Sequence, residues 1–396
     1  MASASASPSP SPSARRKVRL LTAAWPGRRE PHRGLFVSRL AASLAARGFD
    51  LDVVAPRISP GDERREGAPP IVVRRFFTGD TPGRRLKQHA GRPPLRVLAT
   101  YAAGALSAAL AGGPADLVYA HWVLPMGVVG ALAAARLGAP LAIHLHGSDV
   151  RRYARPGGPL GLAARLALRR AAAVLAVSED LAAFAREAGV PDERLRVVPL
   201  GVDVRLFRPP PDDASRAAAR RALAIENGTR IAVFVGDLTA DKGPADLAAA
   251  IDRLGDGFRA VFAGDGPLRP ALAARPRSLV LGAVPNEGVP ALLAAADVFC
   301  LPSRSEGAPV SVMEALACGV PVVATPVGAV PDLLAPAGRG RLVAPGDVPA
   351  LADALAACAA GPRPAPAREL DIERRADDVV QALETALAPG RGGRRA

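Results

Sequence analysis

The stretch PSRSEGAPVSVMEALACGVPVVATP, residues 302–326, decides how the rest of the chain is read. It follows Val298 to Leu301, an apolar run with the length and aliphatic character of a buried strand. A small polar loop holding Glu306 comes next. Apolar residues then repeat at helical spacing from Val310 to Cys318, with Pro309 in the first turn and Glu314 inside. Val320 to Ala324 is a second aliphatic run. Strand, loop, helix and strand in this order make one unit of a parallel sheet. The helix start offers unpaired N–H groups and a positive dipole end to an anion such as phosphate, with Gly307, Ala308 and Pro309 leading into it. Glu314 is placed to accept hydrogen bonds from sugar or ribose hydroxyls. The plainer alternative makes Glu306 a loop charge and Glu314 a solvated helix residue.

The same alternation extends in both directions. On the N-terminal side, Lys17–Ala23, Leu51–Val54, Asp116–Ala120, Pro140–Leu145, Ala171–Val177 and Leu195–Pro199 read as strands. Helices fall between them on Val37, Leu40, Ala41 and Leu44, on Val128–Leu137 and on Ala182–Glu187. The run of prolines Pro209, Pro210 and Pro211 then breaks the pattern, because proline continues neither a helix nor a central strand. Beyond it, strands at Ile231–Val235, Phe258–Ala263 and Ser278–Leu281 alternate with helices at Pro244–Leu254 and Val289–Ala295. Ile372–Leu387 is a final amphipathic helix. The expected fold is α/β: two Rossmann-like doubly wound domains facing across a cleft, with a ligand outside the carboxyl ends of the strands. The boundaries expected are a tail over 1–14, an N-terminal domain over 15–207, a linker over 208–214, a C-terminal domain over 215–370, a return helix over 371–388 and a tail over 389–396.

Composition limits the function classes. The net charge is +14, yet only three basic residues are Lys (Lys17, Lys87 and Lys242) and the rest are Arg. No basic run is interleaved with aromatics, and no zinc-finger or RNA-recognition signature is present, so nucleic acid is not the expected partner. A solvated surface is the simplest reading of the charge, and an anionic membrane surface is the partner it favours. Cys300, Cys318 and Cys358 form no disulfide framework and no metal-ligand spacing, which suits a reducing cytoplasm. No uncharged apolar stretch is long enough to span a bilayer. Residues 1–14 alternate Ser, Ala and Pro without an apolar segment and read as a tail, not a secretory signal.

Other residues carry candidate chemistry. Lys242 stands in a turn before a helix with Pro244 near its start, where a compact ammonium can neutralise a diphosphate. His146 ends the strand LAIHLH at its carboxyl edge. His144, two residues earlier, shares its face, but no third metal ligand stands near in sequence and no metal is expected. Gly34, in the loop after the first strand, allows close backbone approach to a ligand or simply makes a turn. Gly236, Gly264 and Gly266 belong to tight turns near a nucleotide. His121 and Trp122 end another N-terminal strand and are expected to line an acceptor, although Trp122 could equally be core. Asp149 orients an acceptor or caps a turn.

Glu306 and Glu314, framed as SEGAPVSVMEALACGVPVV, resemble the signature of retaining glycosyltransferases of family four, which have the GT-B fold. HGSDV (146–150), VPLGVDVRLFRP (198–209), VGDLTADKG (235–243), AGDGPLR (263–269) and ADVFCLPSRSEG (296–307) resemble further blocks, all in family order. The likeness runs from about Val18 to Leu387. It implies that Glu306 contacts the hydroxyls of a donor sugar and Glu314 the ribose of a UDP- or GDP-linked donor. It also sets His146 against the donor sugar and implies a retaining transfer that needs no metal or other cofactor. The family carries an Arg directly after the glycine of VGDLTADKG, where this chain has Asp237. An acid there repels a diphosphate by about a kcal/mol or more unless another cation, Arg304 being the candidate, offsets it. The acceptor stays open between a lipid-linked or polysaccharide precursor and a small metabolite. A nucleotide-sugar epimerase on the same architecture and a non-catalytic nucleotide-sugar or glycolipid binding protein are the alternatives.

Overall fold

A computed structural model describes residues 15–28, 30, 32–57, 62–63, 65–78, 95–147, 150, 158–226 and 228–388, and its aliphatic runs pair into two sheets. The first holds β1 (Arg16–Leu21), β2 (Phe49–Arg57), β3 (Arg65–Ala68), β4 (Ile71–Phe77), β5 (Leu117–His121), β6 (Leu141–Leu145), β7 (Ala173–Ala176) and β8 (Leu195–Val197). Their order is β3-β4-β2-β1-β5-β6-β7-β8, and only the β3–β4 pair is antiparallel. The second holds β9 (Arg230–Val235), β10 (Phe258–Ala263), β11 (Ser278–Gly282), β12 (Val298–Leu301), β13 (Val322–Ala324) and β14 (Gly340–Leu342). Its order is β11-β10-β9-β12-β13-β14, wholly parallel. Each sheet reverses its winding once: beside β1, flanked by β2 and β5, and beside β9, flanked by β10 and β12. Connections on the two sides of such a point leave on opposite faces, which opens a crevice at the strands' carboxyl ends. The loop after β6 meets the loop after β12 there, Gly147 lying against Gly307.

Helices cover both faces of the first sheet. On one face α1 (Leu35–Ala46) buries Val37, Leu40 and Leu44 against Leu20, Val53 and Tyr119. The other carries α2 (Leu95–Leu110), α3 (Val128–Leu137), α4 (Pro159–Arg170) and α5 (Glu179–Glu187), whose Tyr101, Ala133, Leu168 and Leu181 share a core with Leu21, Val54 and Val118. The second sheet is served by α6 (Asp213–Ala222), α7 (Pro244–Leu254), α8 (Arg269–Ala273), α9 (Val289–Ala295), α10 (Val310–Ala317), α11 (Val330–Leu334) and α12 (Val348–Ala360). The last helix, α13 (Ile372–Leu387), returns to the first sheet, as expected, and buries Ala376, Val379 and Leu383 beside α1. Arg47, which caps the end of α1, fixes it, reaching Glu373 at 2.7 Å and Asp377 at 2.6 Å. That hydrogen bond holds the Glu373 carboxyl below its ordinary range.

The pattern of apolar residues did not reveal α2, α4 or α12. Helix α12 (VPALADALAACAA) is so rich in alanine that its buried stripe barely differs from its exposed one. Helix α4 is harder to read because Leu160, Leu162 and Leu166 face outward while small residues face the core.

The chain leaves the proline linker through α6, which an ion cluster ties to the second sheet. Asp297 is buried before β12 and accepts Arg216 Nη2 at 2.7 Å, Arg220 Nη1 at 3.0 Å and the Ile231 N–H at 2.8 Å. Removing one member of such a cluster strands the other charges. Asp297→Ala should therefore destabilise the protein by about 3–5 kcal/mol, read as a lowered denaturant midpoint at unchanged slope.

Candidate active site

The C-terminal wall is built on the loop after β12. Glu306 is held within it: Ser303 Oγ donates to Oε1 at 2.7 Å, and Lys242 Nζ donates to both carboxylate oxygens at 2.7 Å. The loop's course is set by backbone. Thr325 Oγ1 donates to the Ser303 carbonyl, and the Ala329 N–H donates to the Gly307 carbonyl at 2.7 Å. Gly328 is left-handed at φ 59, and a side chain there would overlap the carbonyls of Glu306 and Gly307. Lys242 ends the short turn Ala240–Lys242, and Gly243, at φ 69, lets that turn lie against the Pro302 carbonyl. Two loops distant in sequence thus bring an ammonium and a carboxylate together at the switch point, both side chains largely shielded from water.

Glu314 lies inside α10 and is buried, with Asn286 Nδ2 donating to Oε1 at 3.2 Å. Burial pushes its carboxyl up to about 7, against the opposing pull of Asn286 and Arg39. The Asn286 side-chain oxygen Oδ1 in turn accepts from Arg39 Nη2 at 2.6 Å, and Arg39 belongs to α1 across the cleft. The plainer alternative, a solvated helix glutamate, is therefore excluded. The start of α10 has Pro309 as its cap and no side-chain cap hydrogen bond, so its first N–H groups have no side-chain acceptor of their own.

The N-terminal wall is aromatic. His121 ends β5, His144 lies opposite it in β6, and His146 follows two residues on. His121 Nδ1 and His146 Nε2 are 2.9 Å apart, and the Tyr119 hydroxyl is 2.7 Å from His144 Nδ1. Burial holds His121 and His146 well below the usual histidine range and His144 near 4, so all three are neutral imidazoles. Phe36 and Trp122 close over His146 at ring-centroid distances of 5.2 and 4.8 Å. Trp122 itself sits at φ 69, a conformation that costs a bulky residue about 1–3 kcal/mol and persists only where surroundings impose it. It is half-buried, facing His146 on one side and packed against the core under α1 on the other.

This wall adds what the sequence reading lacked, a third histidine. His121, His144 and His146 each offer a nitrogen within 4.8 Å of the others'. Three neutral imidazoles suit a first-row divalent ion. Each nonetheless already has one nitrogen close to a neighbouring polar group, in the two contacts above.

The walls touch. A side chain on Gly307 would overlap the His146 carbonyl oxygen, and one on Gly147 would meet Gly307 Cα at 2.9 Å. Gly34 caps α1 at φ 66, and a side chain there would overlap the Ala24 carbonyl, so its requirement lies in the chain's own turn. Gly236, Gly264 and Gly266 stack the loops after β9 and β10, with side chains at Gly264 and Gly266 overlapping the Gly236 carbonyl and closely meeting the Leu238 carbonyl. Asp237 lies exposed on this stack. Arg304 stays at the Lys242 turn, where it pairs with Asp246 at 3.0 Å and donates to the Ala240 carbonyl at 3.2 Å. Ala308 is partly buried beside Gly307, while Asp149 lies outside the described residues, as do both tails. Ser303, Asn286, Arg39, Tyr119 and Phe36 were not singled out from sequence.

Comparison with known proteins matches residues 34–201 to the glycosyl transferase 4-like domain and residues 229–360 to the glycosyl transferases group 1 model. The putative teichuronic acid biosynthesis glycosyltransferase TuaC of Bacillus subtilis is 33% identical, over 86% of this chain and 88% of its own. The D-inositol 3-phosphate glycosyltransferase of Mycobacterium avium is 32% identical, over 84% and 81%. Among solved structures, Anabaena Alr3699/HepE in complex with UDP-glucose superposes with a TM-score of 0.70 at 23% identity, covering 93% of this chain and 99% of that one.

Proposed function

The chain belongs to the group 1 glycosyltransferases, and from that premise we propose that it moves a hexosyl group from a UDP- or GDP-sugar to a hydroxyl acceptor with retention of configuration and without a metal ion. The observation that carries this reading is the Lys242–Glu306 pair over Ser303, set at the switch point opposite His146. Glu306 would accept the donor sugar's hydroxyls and Glu314 those of the ribose. Lys242 and the N–H groups opening α10 would stabilise the diphosphate as its bond to the anomeric carbon breaks. The acceptor oxygen bonds that carbon from the same face and gives its proton to the leaving phosphate oxygen. His146, neutral, can hydrogen-bond the sugar without adding charge. Closure of the walls excludes water and limits donor hydrolysis. UDP-glucose is the first donor to try, given the similar fold that holds it. Incubation with sugar and polyol acceptors should give an α-linked product from an α-linked donor. A β-linked product would overturn retention.

Two expected outcomes bear on the chemistry. Activity should be unchanged by chelation. A loss restored by zinc or manganese would transfer the role of Lys242 to an ion, and the three histidines would be its first candidate ligands.

The second concerns pH. Glu314 titrates near 7 when folded, above its unfolded value, so it stabilises the free protein fully below the unfolded value, and that contribution is lost as pH rises through 7. Ribose hydroxyls donate to the ionised form, so donor affinity should rise about tenfold between roughly pH 6 and 8. A nucleotide-sugar is the correct probe because its diphosphate has no proton to lose in that window. Calorimetry should show this rise in the parent and a flat profile in Glu314→Gln; a flat parent profile would remove Glu314 from ribose binding.

Asp237 favours one rival, a binding protein that holds a nucleotide-sugar without transferring it. Tight donor binding with no turnover toward any acceptor, water included, would support that rival.

A further inference from the structure

We propose that the outer face of α2, α3 and α4 is a docking surface for an anionic lipid bilayer. These helices carry five arginines, Arg96, Arg136, Arg165, Arg169 and Arg170. The three helices contain no acidic residue. Elsewhere arginines are paired with carboxylates, as in Arg15–Asp50, Arg47–Glu373, Arg186–Asp192 and Arg277–Asp256. Arg96, Arg136, Arg165 and Arg170 on this face make no ion pair among the described residues. Apolar exposure concentrates here too. Of eight large apolar side chains exposed among the described residues, four are Leu132 on α3 and Leu160, Leu162 and Leu166 on α4, exposed by between 40 and 60%.

Leucines flanked by arginines that have no carboxylate partner among the described residues fit a bilayer better than the other occupants. At a lipid surface the leucines enter the headgroup boundary while the guanidinium groups meet phosphates. A second copy of the chain in a twofold contact would set these arginines against their own mates. Single-stranded nucleic acid would want aromatic platforms, and the outward side chains of α3 and α4 include none. Helix α4 also follows, in the chain, the strand end that carries His146, so a docked bilayer would lie near the rim of the cleft.

The test is co-sedimentation of the full chain with phosphatidylcholine vesicles, with and without phosphatidylglycerol. The parent should bind only the anionic vesicles and be weakened by salt. At about a factor of five per arginine near the surface, Arg165→Gln with Arg170→Gln should weaken binding roughly 25-fold. Leu162→Glu with Leu166→Glu should weaken it by about a hundredfold or more. Both variants should keep the parent's nucleotide-sugar binding, so failure at the donor site and failure at this surface are distinguishable. Equal sedimentation with neutral vesicles, or none with anionic ones, would overturn the proposal. So would undiminished binding by the leucine variant, which would leave charge alone, or a dimer of the parent that this variant splits, which would give the face to a second copy.

Discussion

Glu306→Gln is expected to lower turnover by about 10²–10³-fold, the usual consequence of removing one preorganised electrostatic contact from a reacting centre. In the structure the carboxylate takes Lys242 Nζ on both oxygens and the Ser303 hydroxyl on one. Glutamine keeps the shape and one acceptor oxygen but loses the charge, so the loop should stay folded and the loss should fall mainly on kcat. Lys242→Ala should cost a similar factor, because it removes the ammonium proposed to stabilise the leaving diphosphate. The two groups are direct partners, so the double variant should lose less than the product of the single losses. Steady-state kinetics of the three variants, with melting curves to confirm folding, would check this. Activity within about tenfold of the parent in Glu306→Gln would remove that residue from the mechanism.

Gly307→Ala should reduce turnover by at least about a hundredfold while leaving donor affinity within a few-fold. Gly307 does not occupy the left-handed region, so alanine fits the open loop without backbone strain. The atoms nearest to its methyl group belong to the facing wall: it would overlap the His146 carbonyl and touch the Gly147 Cα at 3.5 Å. The substitution should therefore block contact between the walls and spare the C-terminal site. Displacing reacting groups by about an ångström costs on the order of 10²-fold. Parallel measurement of turnover and nucleotide-sugar binding separates the effects. Equal losses in both would mean that the loop itself had been damaged.

Much of this was legible in the sequence, for identifiable reasons. Buried parallel strands are aliphatic, so eleven of the fourteen described strands and both doubly wound halves could be read directly, whereas β3, β4 and β14, which carry arginines or glycines, were missed. Glu306 and Glu314 stood out because a fixed spacing framed them, and Lys242 because lysine is so rare in the chain. The bond from Arg39 to Asn286 joins residues 247 apart and depends on how the halves meet, which no local pattern records. The grouping of His121 with His144 and His146 follows from the parallel register of β5 on β6, set by the sheet and not by spacing. Ser303 lay inside the deciding stretch, but its distinction is the direction of its hydroxyl. Helix α4 escaped notice because its leucines point outward, and that same feature marks the docking surface.

The most direct test of the central claim is calorimetric titration of the folded protein with UDP-glucose and GDP-mannose. Binding of one with a dissociation constant between about 1 μM and 1 mM is expected. At a hundredfold excess over that constant, the ligand should stabilise the fold by about 2.7 kcal/mol. Glu314→Ala should weaken it. No binding of either donor to a folded sample would contradict the account and would mean that the site, with Asp237 where the family has Arg, no longer holds a nucleotide-sugar.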